Sequence, residues 1–125
     1  MNDTPASSIH FGRIAAMLPV ADMQRAHDFY TGVLGFSKTF QNGDPVGFMI
    51  LKRDNAELHL TLQKDHKAAL FNVVHMMVDN VDALHSICQA QALRIIKGLK
   101  DKDYGLRAFV FEDFDGNRID VGQPL

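Results

Sequence analysis

The sequence predicts one small α+β domain made of two tandem βαβββ modules, whose strands form a cup-shaped mixed sheet with the helices on its outer face. Two observations carry this prediction. The strand–helix pattern of Ala15–Asp22 recurs 58 residues later (73 − 15 = 58) at Val73–Asn80, and internal repetition of this kind indicates repeated structural units. The predicted strands also alternate between an apolar face and a mixed face. We therefore expect a single domain over residues 1–125, with halves at about 11–63 and 70–123 joined by a linker.

The first half is predicted to contain a strand, a helix and three further strands. Residues 14–20 form the expected first strand, and Asp22 is placed to cap the helix that follows. Gly35 comes directly after this helix and favours the left-handed conformation in which many helices end. Turn-forming NGDP and RDNA sequences then separate three short predicted strands, at Phe36–Gln41, Val46–Lys52 and Glu57–Leu62.

The second half repeats this order after a polar segment at residues 63–69. Residues 72–78 predict a strand, and Asp79 or Asn80 is expected to cap the following helix. Cys88 falls on the inner face of that helix, where a small buried hydrophobic side chain is expected. The last three strands are predicted near Arg94–Lys97, Leu106–Glu112 and Arg118–Val121, with the turn sequence DFDGN before the final one.

Composition excludes several classes of function. The net charge is −2 and the charges are dispersed, so no basic stripe is available for a nucleic acid backbone. The longest apolar runs are far below the roughly 20 residues that cross a bilayer, so no membrane partner is expected. The single cysteine, Cys88, excludes an internal disulfide and is typical of a reducing cytoplasm. We therefore expect a cytoplasmic globular protein.

The contrast between the two strand faces predicts a ligand site. One face is apolar throughout and suits packing beneath the helices, whereas the other carries ionisable side chains that would be costly to bury without partners. A concave, partly wet pocket combines apolar walls with a few polar groups. The residues expected to bind a small-molecule ligand are Met17, Phe48, Glu57, His59, His75, Tyr104, Arg107, Phe109 and Asp120.

Several of these residues also have a simpler interpretation. Arg107 would either clamp a ligand carboxylate with two hydrogen bonds or pair with Asp113 or Glu112 on the surface. Phe109 and the other aromatic side chains would either stack on a planar ligand or fill the core. His59 is expected to hydrogen-bond with Glu57 or Asp120 across the cup.

Both ends of the chain resemble the vicinal oxygen chelate superfamily, which includes glyoxalase I, extradiol dioxygenases and bleomycin-resistance proteins. The resemblance lies in MLPVADMQRAHDFYTGVLGF near the beginning and YGLRAFVFEDFDGNRIDVGQ near the end, and it extends from Ile14 to Gln123. The bleomycin-resistance-like branch is the most similar, although Phe114 stands where relatives commonly have proline. The resemblance implies two βαβββ modules, often completed by a dimer whose halves pair across chains, and hence a homodimer.

The resemblance also bears on metal binding. It places the metal ligands of metal-dependent members at Ala15, His59, Val73 and Asp120 of this chain, and only two of these can bind a metal. Catalytic metal sites need about three protein donors, so no metal cofactor is expected. The alternative is a divalent metal held by His59, Asp120 and His75, a two-histidine, one-carboxylate set, although His75 lies about 6.5 Å further along its strand than Val73.

Three hypotheses of function follow. The first is a metal-free, bleomycin-resistance-like protein that sequesters an amphipathic or aromatic small molecule in a cup at a dimer interface. The second is a metal-dependent lyase, isomerase or dioxygenase of the glyoxalase kind, acting on vicinal oxygens of its substrate. The third is a protein-interaction module that retains the fold without a ligand. The sequence specifies neither the ligand nor the pathway.

Overall fold

The structure is a computed structural model that describes residues 5–125, so residues 1–4 of the predicted domain lie outside the described residues. The order of elements is β-α-β-β-β followed by β-α-β-β-β. The first half contains β1 (Ala16–Val20), α1 (Met23–Asp28, continued by a π-helical turn at Phe29–Val33), β2 (Ser37–Asn42), β3 (Phe48–Arg53) and β4 (Ala56–Leu62). The second half contains β5 (Asn72–Met77), α2 (Val81–Ala90), β6 (Ile95–Asp101), β7 (Leu106–Glu112) and β8 (Arg118–Pro124).

The strands form two separate four-stranded mixed sheets, in the orders β1-β4-β3-β2 and β5-β8-β7-β6. In each sheet the first and last strands of the module pair in parallel, and the other pairs are antiparallel. The predicted α+β fold with tandem βαβββ modules is therefore confirmed. Within residues 5–125, β1 pairs only with β4 and β5 only with β8, which leaves one edge of each strand open.

The helices begin at the caps that the repeat predicts. The side chain of Asp22 accepts a hydrogen bond from the backbone N–H of Arg25 at 3.0 Å, and that of Asn80 accepts one from Ala83 at 3.1 Å. These caps are 58 residues apart (80 − 22 = 58), the same shift as the strands before them. Gly35 has a φ of +73°, as expected of the residue that ends the first helix. Within the described range, no helix is both long and apolar enough to cross a membrane.

The core lies between the sheets and their helices. The apolar faces of both sheets are buried there, with Leu18 and Leu60 fully buried in the first sheet and Val121 in the second. Cys88 of α2 is also fully buried, and this burial raises the pKa of its thiol to about 12. The thiol is therefore protonated at neutral pH, which is consistent with a structural role.

The turn between β7 and β8 connects the second half to the first. Asp113 in this turn is 4% exposed and accepts a hydrogen bond from the Tyr30 hydroxyl at 2.7 Å. Asp115, two residues later, accepts hydrogen bonds from Arg25 at 2.9 Å and from the backbone N–H of Ala21 at 2.8 Å. Burial raises the pKa of Asp113, while burial and the neighbouring Asp113 charge raise that of Tyr30. These contacts fix the two halves relative to one another.

Candidate ligand-binding faces

Each sheet has one side that faces away from the helices. On the first sheet this side, here called the first mixed face, carries Met17, Phe40, Phe48, Glu57 and His59. On the second sheet, the second mixed face carries His75, Met77, Arg118 and Asp120. The side chains of Met17 and Met77 are 62% and 48% exposed. Both faces are therefore open to incoming molecules in a single chain.

On the first mixed face, Glu57 is held by three basic partners. Arg13 donates two hydrogen bonds to its carboxylate at 2.9 and 3.2 Å, and the Lys52 ammonium lies 3.2 Å away. His59 Nε2 lies 2.7 Å from the other carboxylate oxygen. The hydrogen bond from Arg13, followed by that from His59, lowers the pKa of Glu57 from 4.5 to about 2. Glu57 therefore stays ionised at neutral pH and orients the His59 ring.

An aromatic row crosses the same face from β2 to β4. The Phe48 ring packs edge-to-face against His59 at a centroid distance of 5.4 Å and against Phe40 at 6.2 Å. Thr61 is the register partner of Phe48 in the sheet. Its hydroxyl oxygen is buried and has no hydrogen-bond partner among the described residues. Aromatic rings arranged in this way can stack on a planar ligand. The unpaired hydroxyl of Thr61 can form a hydrogen bond with a polar group at the edge of such a ligand.

The second mixed face holds a different histidine–carboxylate pair. His75 and Asp120 are register partners on β5 and β8, and His75 Nδ1 lies 2.7 Å from Asp120 Oδ2. The other ring nitrogen, Nε2, lies 3.2 Å from the sulfur of Met77. The side chains of His75 and Asp120 are 48% and 24% exposed. This pair is open to solvent and has a soft sulfur atom beside it.

Two of the residues expected to bind a ligand lie on the helix side of the second sheet, and a third lies in a turn outside the strands. Arg107 points to the helix side of the second sheet, where it bonds with Asp101 at 2.6 Å and with Asp82 of α2 at 3.2 Å. The prediction that Arg107 pairs with Asp113 or Glu112 was therefore wrong. Phe109 is 1% exposed in the core, with its ring against His85 of α2. Tyr104 is 63% exposed in the turn before β7.

The alternative metal set is divided between the two sheets of one chain. His59 lies on β4 of the first sheet, whereas His75 and Asp120 lie on β5 and β8 of the second. Among residues 5–125, no three His, Cys, Asp or Glu side chains are grouped so that they could hold a metal ion. These three residues are therefore not assembled into one site within the described part of a single chain.

Sequence reasoning missed Phe40 of the first mixed face and the two basic partners of Glu57, namely Arg13 and Lys52. Strand alternation from Phe48 places Lys52 on the same face, so this residue could have been found from the sequence. A register shift between Lys38 and Phe40 interrupts the alternation of β2. Arg13 precedes the first strand and reaches Glu57 through a long-range ion pair, for which the sequence carries no local signal.

Comparisons with known proteins agree with the fold. Residues 10–121 match the family model of the Glyoxalase/Bleomycin resistance protein/Dioxygenase superfamily. A comparison with curated protein sequences found no match. Among solved structures, TnmS3, an antibiotic binding protein from Streptomyces sp. CB03234, is similar at 25% identity and a TM-score of 0.71, over 93% of this chain and 100% of that one.

Two further solved structures share the fold at lower identity. A bleomycin-binding protein complexed with bleomycin matches with 21% identity and a TM-score of 0.75, over 92% of this chain and 100% of that one. The fosfomycin resistance protein FosX from Listeria monocytogenes matches with 13% identity and a TM-score of 0.77, over 94% and 96% of the two chains.

Proposed function

The chain belongs to the glyoxalase/bleomycin resistance protein/dioxygenase superfamily, and from this membership we propose that it binds and sequesters an amphipathic or aromatic small molecule. The observation that carries the proposal is the first mixed face, where an aromatic row of Phe40, Phe48 and His59 lies beside a carboxylate already neutralised by its own partners. Such a surface offers stacking without unpaired charge. TnmS3, which is described as antibiotic binding, supports the same class of ligand.

We propose further that two chains assemble so that the first mixed face of one lies beside the second mixed face of its partner. The open edges of β1 and β5 would then be adjacent, and exposed strand edges favour pairing with another chain. The segments that precede these strands expose large apolar side chains, including Ile14 at 96%, Phe11 at 75%, Leu70 at 84% and Phe71 at 67%. Burial of this surface would stabilise the dimer.

Binding without a resident divalent metal is part of the proposal. Two of the four family ligand positions, Ala15 and Val73, have no donor atom in their side chains. The other two, His59 and Asp120, already have partners in Glu57 and His75. A dimer cup would therefore have only two donor side chains at these positions, both already hydrogen-bonded, whereas a catalytic metal site needs about three donors.

A cytoplasmic location is also part of the proposal, because the single cysteine is typical of a protein in a reducing compartment.

One observation favours a metal-dependent enzyme as the second candidate. His75 donates toward a carboxylate through one ring nitrogen, and metal-binding histidines commonly do so. In a dimer cup, His75 and Asp120 of one chain would face His59 of the other. A divalent ion bound by His59 and by Nε2 of His75, with Asp120 orienting the His75 ring, would act as a Lewis acid on vicinal oxygens of a substrate.

The first experiment combines elemental metal analysis with a ligand screen. Untagged protein, purified without chelator, is offered Ni²⁺, Zn²⁺, Mn²⁺ and anaerobic Fe²⁺, and we expect none to be retained stoichiometrically. In a thermal-shift screen of planar aromatic antibiotics and metabolites, a ligand at 100 times its Kd should add about 2.7 kcal/mol of stability. The shift should shrink in Phe48→Ala and persist in Tyr104→Ala, the control in the exposed turn.

Stoichiometric retention of a divalent metal would contradict the proposal. If one divalent metal binds per chain and is lost in both His59→Ala and Asp120→Ala, the metal-dependent enzyme replaces sequestration as the proposed function.

Sedimentation tests the dimer. It should give about twice the 14.0 kDa mass of the chain, and Ile14→Asp should shift the protein toward the monomer. A monomeric parent protein would remove the dimer cup from the proposal.

A further inference from the structure

The second mixed face brings an oriented imidazole and a thioether together. Asp120 engages His75 through Nδ1 at 2.7 Å, so the other ring nitrogen, Nε2, is directed toward the face. Nε2 lies 3.2 Å from the Met77 sulfur, and the two residues are separated by one position on β5, so both side chains point to the same side. In the neutral ring with Nδ1 protonated, a nitrogen lone pair faces the sulfur.

Two facing lone pairs repel weakly, and a proton or a cation between the nitrogen and the sulfur makes the contact attractive. Thioether sulfur is only a weak acceptor of hydrogen bonds, but it is a soft metal ligand. Zinc lies about 2.0 Å from imidazole nitrogen and about 2.3 Å from thiolate sulfur, which sets the scale for a first-row ion. Two atoms 3.2 Å apart can therefore contact the same ion at roughly a right angle.

The solvent side of this pair is open. Gly122, the register partner of Met77, has no side chain, and the place of its missing Cβ is lined by Leu106 Cδ1 at 3.0 Å and by His75 Cε1 and Met77 Sδ at 3.5 Å. The exposed fractions of His75 and Met77, both close to one half, keep the pair accessible from solvent. The carboxylate behind the ring is placed as in carboxylate–histidine–metal arrangements, where it fixes the ring and raises its basicity.

We propose that His75 Nε2 and Met77 Sδ are two donors of a binding site for a soft monovalent cation, Cu⁺ being the physiological candidate. Imidazole and thioether ligands favour Cu⁺ over hard divalent ions. The remaining coordination positions face the open side of the sheet, where a solvent or ligand donor completes the shell. This site shares His75 with the divalent alternative above but adds a thioether and takes a different metal, and it does not depend on sequestration of an organic ligand.

The test titrates the protein with Ag⁺, a redox-inert probe of Cu⁺ sites, and with Cu⁺ in anaerobic competition against bathocuproine disulfonate. Cys88→Ala is the background for all variants, because a thiol also binds soft metals. We expect one equivalent per chain, with the ¹⁵N resonance of His75 Nε2 shifted on Ag⁺ addition. Met77→Leu should weaken binding at least about 10-fold, and Asp120→Asn about 10- to 100-fold.

Two matched variants separate this site from general soft-metal binding. Met76→Leu removes a thioether from the same strand but from the opposite, core-facing side, and His10→Ala removes an imidazole from the exposed N-terminal segment. Both should bind Ag⁺ within about twofold of the parent, since neither donor contributes to the site. The proposal is overturned if Met77→Leu binds as tightly as Met76→Leu, if no equivalent binds, or if equimolar Zn²⁺ displaces the probe.

Discussion

The two mixed faces place a histidine beside a carboxylate in opposite ways. On the first face, Glu57 bonds to Nε2 of His59 and is also held by Arg13 and Lys52. On the second face, Asp120 bonds to Nδ1 of the histidine ring, and its carboxylate lies in no other ion pair among the described residues. The first pair is therefore neutralised by its own surroundings, whereas the second remains available to an incoming cation or donor.

The aromatic side chains of the two halves also differ in direction. Strands β3 and β7 occupy the same place in their sheets, next to the last strand of each module. On β3, Phe48 faces the mixed side and contacts His59, but on β7 Phe109 faces the core and contacts His85. A cup built from both faces would thus have one aromatic wall and one wall of sulfur, imidazole and carboxylate.

The largest expected effect separates these two phenylalanines. Phe109→Ala should lower the free energy of unfolding by about 3–5 kcal/mol, because it removes a buried ring and leaves a cavity. Phe48→Ala should cost about 1 kcal/mol or less, because part of its ring surface is already solvated. Urea denaturation of both variants provides the measurement. Equal losses would mean that the two halves do not differ in the direction of their aromatic side chains.

A smaller effect tests the contact that holds the halves together. Tyr30→Phe removes the hydroxyl that donates to Asp113 at 2.7 Å, and a hydrogen bond to a carboxylate contributes about 1.5–3 kcal/mol. Tyr104→Phe removes the same atom from an exposed turn and should change stability by less than about 0.5 kcal/mol. If urea denaturation gives the two variants the same stability, the buried carboxylate does not join the halves.

Short-range signals explain why much of the fold was predictable. Cap residues act within three positions of the helix start, and the shift from Asp22 to Asn80 carries one half onto the other. Alternation likewise identified the mixed faces of β4 and β8, since their apolar and ionisable residues fall on different sides. The residues Glu57, His59 and Asp120 could therefore be selected from the sequence alone.

Strand β7 shows where this reasoning fails. Its sequence, LRAFVFE, is apolar on both sides, so alternation defines two faces without indicating which one meets the helix. Contacts with α2 determine the answer, because Arg107 bonds with Asp82 and the Phe109 ring packs on His85. Pairings between sheets or with the N-terminal segment, such as Arg13 with Glu57, depend on distances across the fold that sequence spacing does not encode.

The smallest effect concerns the locked pair of the first face and its dependence on pH. Glu57 has a folded-state pKa of about 2 against an ordinary value of 4.5, chiefly because of the hydrogen bond from Arg13. A lowered acid pKa contributes stability that is present above the ordinary value and is lost as pH falls from about 4.5 toward 2. Glu57→Gln should therefore flatten the fall of Tm across this window, while Arg13→Ala should move it to higher pH. Carboxyl ¹³C resonances report the titration directly. A Glu57 midpoint near 4.5 in the parent protein would show that Arg13, Lys52 and His59 do not hold this carboxylate ionised.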